Sequence, residues 1–466
     1  MPSARNIEQA SGDEFTRRDA LKLTSTGAAG LAMSSLWPHA SSASQHASTF
    51  GRAKRCIVLF MAGGPPQHET WDPKPAAPEE IRGAYQPIAS SLPGLQVGEL
   101  MPRTAKLAHH LTVLRGVSTR DNAHSSSGYY MLTGQPHSPM NNENAKPGAP
   151  NDFPSLAAVV KQLRGDGEVF PGAVTLPDEL WNCGRIVWPG QDGGFLGRVA
   201  DPWQLVCDPN QADFQVPGVG LPQELSVDRF DSRLTLLNAV NRGLDENDAR
   251  PNLLRWDNRS RQAFSLIRAR TARNAFDLEQ ESSDTRERYG RTRFGQSVLL
   301  GRRLLEAGVP LVQVNWTRTP EEMGPNPLWD THANNAARLK DALMPPMDLA
   351  YSALVTDLLD RGMFEDTLIV WTGEFGRTPR HNAQGGRDHW GMCFSMALAG
   401  GGVKQGYVHG ASDAIGGEVR DGLVTPEDMT ATIHHLMGHD PETLIYDRLN
   451  RPLPISRGRV LGELLA

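Results

Sequence analysis

Cys56-Ile57-Val58-Leu59-Phe60-Met61-Ala62, closed by Gly63-Gly64-Pro65-Pro66, is the stretch that decides the fold class. The run is unbroken, short, partly β-branched, and stopped by a glycine–proline cluster, which predicts a buried strand rather than a helix. Strands without a polar face are covered on both sides, as in mostly parallel sheets carrying helices above and below. Similar runs follow along the chain. Leu111–Gly116, Gly172–Leu176, Val309–Trp316, Thr367–Thr372 and Phe394–Ala399 read as further strands, and 154–163, 347–361 and 426–437 as helices between them. Strand–helix–strand order of this kind predicts an α/β fold with a large, mostly parallel sheet between helical layers. Between about 178 and 306 the pattern changes: first Gly, Pro, Asp and Trp without a period, then polar helix-forming sequence rich in Arg and Leu. That predicts an inserted cap of loops and helices within a single domain spanning 50–463.

Composition narrows the functional classes. With 39% apolar and 21% charged residues in 466, the chain is globular. A net charge of -6 with interspersed signs offers no basic stripe for nucleic acid. Four scattered cysteines are too few for a disulfide scaffold and leave either one bridge or free thiols. At the N-terminus, Thr16-Arg17-Arg18-Asp19 precedes a weakly apolar stretch from Leu23 to Leu36 and small residues at Ala40–Ala43. This is the layout of a twin-arginine signal peptide, occupying residues 1–45 with its linker. It predicts a protein handed to the twin-arginine export machinery and delivered to the periplasm or secreted.

In open α/β sheets ligands gather beyond the carboxyl ends of the strands. Metal-capable side chains recur at those exits. His68, Glu69 and Asp72 follow the first strand, and Asp121, Asn122, His124 and Ser125 follow the second. Asp330, His332 and Asn334 come after Val309–Trp316; Glu374, Arg377, His381, Asp388 and His389 come after Thr367–Thr372. A lone Asp or His in such a place caps a helix or ties a loop. The joint pattern on one rim points to a metal site instead. Carboxylates and imidazoles without thiolates suit Zn, Mn or Mg, as one ion or two, and such a site can polarise a phosphate or sulfate ester. Arg377 is a candidate partner for a tetrahedral oxyanion.

The motifs Gly63–Pro75 (GGPPQHETWDPKP), His124–Gly134 (HSSSGYYMLTG), Arg286–Val309, Trp329–Asn335 (WDTHANN), Gly373–Pro379 (GEFGRTP) and Gly386–Trp390 (GRDHW) carry a resemblance. Over residues 50 to 463 the chain resembles the domain of unknown function 1501 family, which is grouped with alkaline-phosphatase/sulfatase-like proteins. The resemblance implies an alkaline-phosphatase-like fold with metal ligands on the carboxyl edge of the sheet. It assigns Asp330, His332 and His389 to one metal. Glu374 takes the place of a second-metal carboxylate, with Phe375 where a ligand would follow and Gly63-Gly64 where paired aspartates would stand. Any ligand after the first strand must then come from His68, Glu69 or Asp72. No CxPxR sequence surrounds a cysteine, which argues against a formylglycine sulfatase. Alignment on Met131–Gly134 puts His124 in the nucleophile's place, where it is a nucleophile, a metal ligand or a general acid; Ser125 is the serine alternative.

The expectation is an exported, metal-dependent hydrolase of phosphate or sulfate esters, acting on a small-molecule or polysaccharide ester. His68, Asp72, Asp330, His332, Glu374 and His389 bind metal in it, and His124, Ser125 and Arg377 carry the chemistry. The alternative is a non-catalytic binding or scaffold protein that keeps the fold, a reading favoured by Phe375 and the Gly63-Gly64 pair.

Overall fold

Eight strands hydrogen-bond into one sheet, in the spatial order β8-β2-β7-β6-β1-β5-β3-β4. They are β1 (Arg55–Met61), β2 (Leu111–Val117), β3 (Ala173–Leu176), β4 (Trp203–Gln204), β5 (Leu311–Trp316), β6 (Thr367–Thr372), β7 (Phe394–Ala399) and β8 (Tyr407–His409). This computed structural model describes residues 48–216, 219, 225–245, 262–318 and 328–466. The signal-peptide segment lies outside them, as do 217–218, 220–224 and 246–261 in the expected cap. Only β7 runs against its neighbours β6 and β2; every other pairing in the sheet is parallel.

The alternation of side chains along β1 explains the layering. Ile57, Leu59 and Met61 enter one core with Val312, Val314, Ile369 and Trp371, while Cys56 and Val58 enter the other with Leu311, Leu368 and Val370. The first core is closed by helices α3 (Arg293–Glu306) and α4 (Met344–Asp360), the second by α2 (Leu156–Arg164) and α5 (Pro426–Leu436). Each fully buried Leu, Ile or Val contributes roughly 1.5–3 kcal/mol, so the central strands anchor the fold. Local signals set the helix starts: Thr292 Oγ1 accepts from Gly295 N at 3.0 Å, Ser155 Oγ from Ala158 N at 3.1 Å, and Pro426 follows the capping Thr425.

The fold class is as expected. Trp203–Gln204 joins the main sheet beside β3, and α3 packs against it, although both fall inside 178–306. A short hairpin, Trp181–Asn182 with Ile186–Val187, and the helix Val227–Asp245 are not strands of that sheet. All four cysteines are free thiols. No helix among the described residues is long and apolar enough to cross a membrane.

Helix α3 is fixed to its neighbours by charge as well as by packing. Arg302 is fully buried and reaches Glu281 at 2.7 Å and Asp357 of α4 at 2.9 Å. Arg303 contacts the same Glu281 carboxylate. Burial alone would raise the pKa of Glu281, but the two guanidiniums outweigh it and hold it below the usual value. A depressed carboxylate stabilises the fold above its unfolded pKa of about 4.3, and that contribution is lost as pH falls through the folded value. Thermal melts between neutral pH and pH 3 are therefore expected to show a steeper acid loss in the wild type than in Glu281→Gln, which lacks the titrating group.

Candidate metal centre

The exits of β1 and β6 and the segment at 329–330 meet through glycine. Gly63 has φ +110°, and a Cβ there would lie 2.5 Å from Asp330 N and 2.6 Å from Trp329 N. Gly64 has φ +78° and abuts the Phe375 ring. Only glycine permits this closeness. The pair therefore brings backbone where aspartates would stand: Gly63 N donates to Glu374 Oε1 at 2.8 Å, and the carbonyls of Gly63 and Gly64 accept from Arg377.

Three imidazoles surround the Asp330 carboxylate. His389 Nε2 lies 3.1 Å and His332 Nε2 3.0 Å from Oδ1, and His124 Nε2 lies 3.3 Å from Oδ2. The two imidazole nitrogens of His332 and His389 are 2.9 Å apart. The other ring nitrogen of each histidine faces an oxygen. His389 Nδ1 is 2.7 Å from the Asn122 carbonyl, His332 Nδ1 2.7 Å from Asp388 Oδ1, and His124 Nδ1 2.6 Å from Glu374 Oε1. A carbonyl oxygen only accepts, so His389 carries its proton on Nδ1; His332 and His124 face a carboxylate from both ring nitrogens, and a cation at their Nε2 atoms would leave the proton on Nδ1, toward Asp388 and Glu374. In their neutral forms all three Nε2 lone pairs then face one another and Asp330. Like lone pairs do not converge to advantage without a proton or a cation between them. Ligand atoms of His124, Asp330 and His389 lie within 4.8 Å of one another, and buried His124 Nε2 has no hydrogen-bond partner. The donor set therefore fits a divalent cation of nitrogen and oxygen preference, and the oxygen partners behind each imidazole are the supports that metal-bound histidines use.

With protons in place of a cation, the electrostatics are lopsided. Burial disfavours charge on His124, yet Asp330 and Glu374 overcome it and push its pKa up to about 10. Burial, then the positive His124, drives His389 down to about 3. Burial would raise Asp330, but Arg377 and His124 hold it well below the carboxylate range. The ring of Phe375 stacks on His389 at 4.5 Å, and Trp188 on His124 at 5.8 Å, so the cluster is walled by aromatic surface.

Several sequence expectations are corrected. His68 Nε2 bonds the Ile415 carbonyl at 2.7 Å, and Asp72 is held by Lys74 at 3.0 Å, by Arg115 at 3.3 Å and by the Ser412 hydroxyl. Glu69 pairs with Arg387 at 2.7 Å. After Pro65-Pro66 the chain turns toward the 412–416 segment, which takes His68 and Asp72 out of the metal set. Glu374 stands behind His124 rather than beside the other ligand atoms. The single Ser125 hydroxyl proton is shared between the carbonyls of Asn142 (2.8 Å) and Glu143, and its oxygen accepts from Ala145 N, so the hydroxyl closes a loop and is no free nucleophile. Fully buried Arg377 spends its donors on Gly63, Gly64, Arg387 and, at 2.6 Å, Asp330 Oδ1, which leaves no fork for a substrate oxyanion. His124 joins the cluster through Nε2. We expect Ser125→Ala to keep wild-type metal content within about twofold, at a loss of roughly 1–3 kcal/mol for the orphaned partners. Elemental analysis and a thermal melt measure both.

Glu143 and Asn182 were not among the expected site residues. Glu143 Oε2 accepts from His124 N at 2.8 Å at the start of α1 (His124–Thr133), and Asn182 Nδ2 donates to Glu143 Oε1 at 2.9 Å. Both sit in aperiodic loop sequence, where an isolated polar residue gives no signal.

A family model described as Protein of unknown function (DUF1501) matches residues 53–465. The chain belongs to this family. It is the family that the motifs between Gly63 and Trp390 resemble, and the match spans both the sheet and the centre. No curated protein matches the sequence. Among solved structures, the chain is similar to the PsFucS1 sulfatase from Pseudoalteromonas sp., with 14% identity over 92% of this chain and 76% of that one and a TM-score of 0.42. It is also similar to a protein in the alkaline phosphatase superfamily from Vibrio parahaemolyticus, with 11% identity over 90% and 71% and a TM-score of 0.40. The phosphonate monoester hydrolase SpPMH from Silicibacter pomeroyi shows 15% identity over 88% and 75%, with a TM-score of 0.35.

Proposed function

We propose that the protein is an exported hydrolase of phosphate or sulfate esters that depends on a divalent metal held by His124, Asp330, His332 and His389. The observation that carries this is the convergence of three histidine Nε2 atoms on one buried carboxylate. A cation bound there supplies Lewis acidity toward an ester oxygen. The chain's own groups do the orienting. Glu374 and the Asn122 carbonyl set the planes of His124 and His389, and Asp388 holds the proton on His332 Nδ1 at the more exposed side of the cluster. Phe375 and Trp188 limit water.

The non-catalytic reading draws support from a specific feature: neither Ser125 nor Arg377 is free to act on a substrate. A screen of the Zn- and Mn-loaded mature chain against aryl phosphate and aryl sulfate esters separates the two. Turnover that vanishes in His389→Ala supports the hydrolase. Stoichiometric metal without turnover moves the assignment to a metal-stabilised binding protein. Export through the twin-arginine route is tested by fractionation, where Arg17→Lys with Arg18→Lys is expected to leave the full-length chain in the cytoplasm.

A further inference from the structure

Arg318 leaves the carboxyl end of β5, whose last residue Trp316 is paired in register with Met61 at the end of β1. It therefore stands on the same rim as the metal centre. Only 6% of the residue is exposed, and no acidic side chain pairs with it among the described residues. Its Nη1 lies 3.3 Å from Cys183 Sγ, its Nε is buried without a hydrogen-bond partner, and its guanidinium carbon lies 5.4 Å from the centre of the Trp181 ring.

No described residue around it neutralises it. Arg185 lies 4.7 Å from the same indole, but Asp178 grips it with two bonds of 3.0 and 2.9 Å. Arg293 donates only to uncharged oxygens: the carbonyls of Cys207, Pro177 and Arg318 and the Thr317 hydroxyl. Among the described residues, one carboxylate, paired with Arg185, stands beside these three guanidiniums. A buried cation without a counter-ion costs several kcal/mol. Contact with an indole face returns about 0.5–2 kcal/mol. The cost of burial exceeds that return, and a bound anion would offset the difference.

The position also connects to the centre through a short chain of contacts. Trp181 precedes Asn182, which bonds Glu143, which in turn accepts from His124 N. Trp188, across the same hairpin, donates to Asn182 Oδ1 at 2.7 Å and stacks on His124.

We infer that Arg318, laid over Trp181, receives a second anionic group of the substrate, so that the protein prefers esters carrying another sulfate, phosphate or carboxylate beyond the one at the metal centre. This rests on the ester-hydrolase reading above and adds a specificity residue to it. Arg318 recognises charge; it is not placed on the reacting atoms.

Calorimetric titration with non-hydrolysable probes tests it without requiring turnover. Methanesulfonate carries one anion, the series from 1,2-ethanedisulfonate to 1,6-hexanedisulfonate carries two at increasing separation, and the corresponding sulfoalkanoates replace one sulfonate by a carboxylate. The Zn-loaded wild type is expected to bind the best-fitting dianion about tenfold more tightly than the monoanion, as a charge-assisted contact supplies. Arg318→Gln should erase that preference, while Arg318→Lys, which keeps the charge, should retain most of it and controls for folding. Equal affinity for monoanion and dianions in the wild type overturns the proposal, as does a preference unchanged in Arg318→Gln. If the Arg318-dependent preference holds while no ester is turned over, the anion site stands and the hydrolase reading falls.

Discussion

Replacing His389 with alanine is expected to empty the centre: metal content should fall by more than tenfold and ester turnover should drop to background. His389 is the imidazole most completely prepared as a ligand. Its Nδ1 proton is committed to the Asn122 carbonyl, its ring is clamped on Phe375, and its low proton affinity leaves Nε2 available near neutral pH. Losing one of the imidazoles around Asp330 removes a metal bond directly, whereas losing a supporting partner such as Asp388 costs about 10–100-fold in affinity by loosening one. His389→Ala and Asp388→Asn should therefore separate in metal titrations. The centre-ligand variant should retain no stoichiometric site, and the support variant should retain one that fills at higher metal concentration.

The second large effect is on stability. Arg377→Met is expected to cost about 3–5 kcal/mol, since it leaves the Asp330 carboxylate buried beside unpaired glycine carbonyls. Arg377 joins the exit of β1 (Gly63, Gly64), the 387 segment and Asp330 in one set of bonds. Arg377→Lys keeps the charge but cannot reach these acceptors with a planar fork, so it should recover only part of the loss. Chemical denaturation of the metal-free proteins reads this directly. Metal should stabilise the wild type further, because the cation binds only the folded arrangement.

Parts of this design were legible in the sequence. The apolar runs inside β1 and β6 are visible because both faces of the sheet are covered, so no polar residue interrupts them, and β7 is broken only by Ser395. Trp203–Gln204 and Tyr407–His409 are too short to have a period, and they are strands only because long neighbours offer them an edge. At the site, Asp330 and His332 are two residues apart on one loop, a spacing that keeps their side chains together locally. His68 and His389 look alike in sequence, each following a strand near a carboxylate. What separates them is distant: His68 meets the 415 carbonyl, while His389 meets the segments at 122 and 330. Glu374 was legible as a carboxylate at the right exit, but its role behind His124 depends on Gly63 presenting an N–H to it. Arg377 likewise looks like an anion binder until the carbonyls of the glycine pair consume its donors.

The hydrolase reading depends on His124, Asp330, His332 and His389 holding one divalent cation, and anomalous X-ray scattering from crystals equilibrated with Zn would locate it. An anomalous peak is expected about 2.0–2.2 Å from His389 Nε2 and from an Asp330 oxygen, the usual zinc distances to these donors. A map with no peak in that cluster, or with zinc bound only at surface histidines, would rule the centre out.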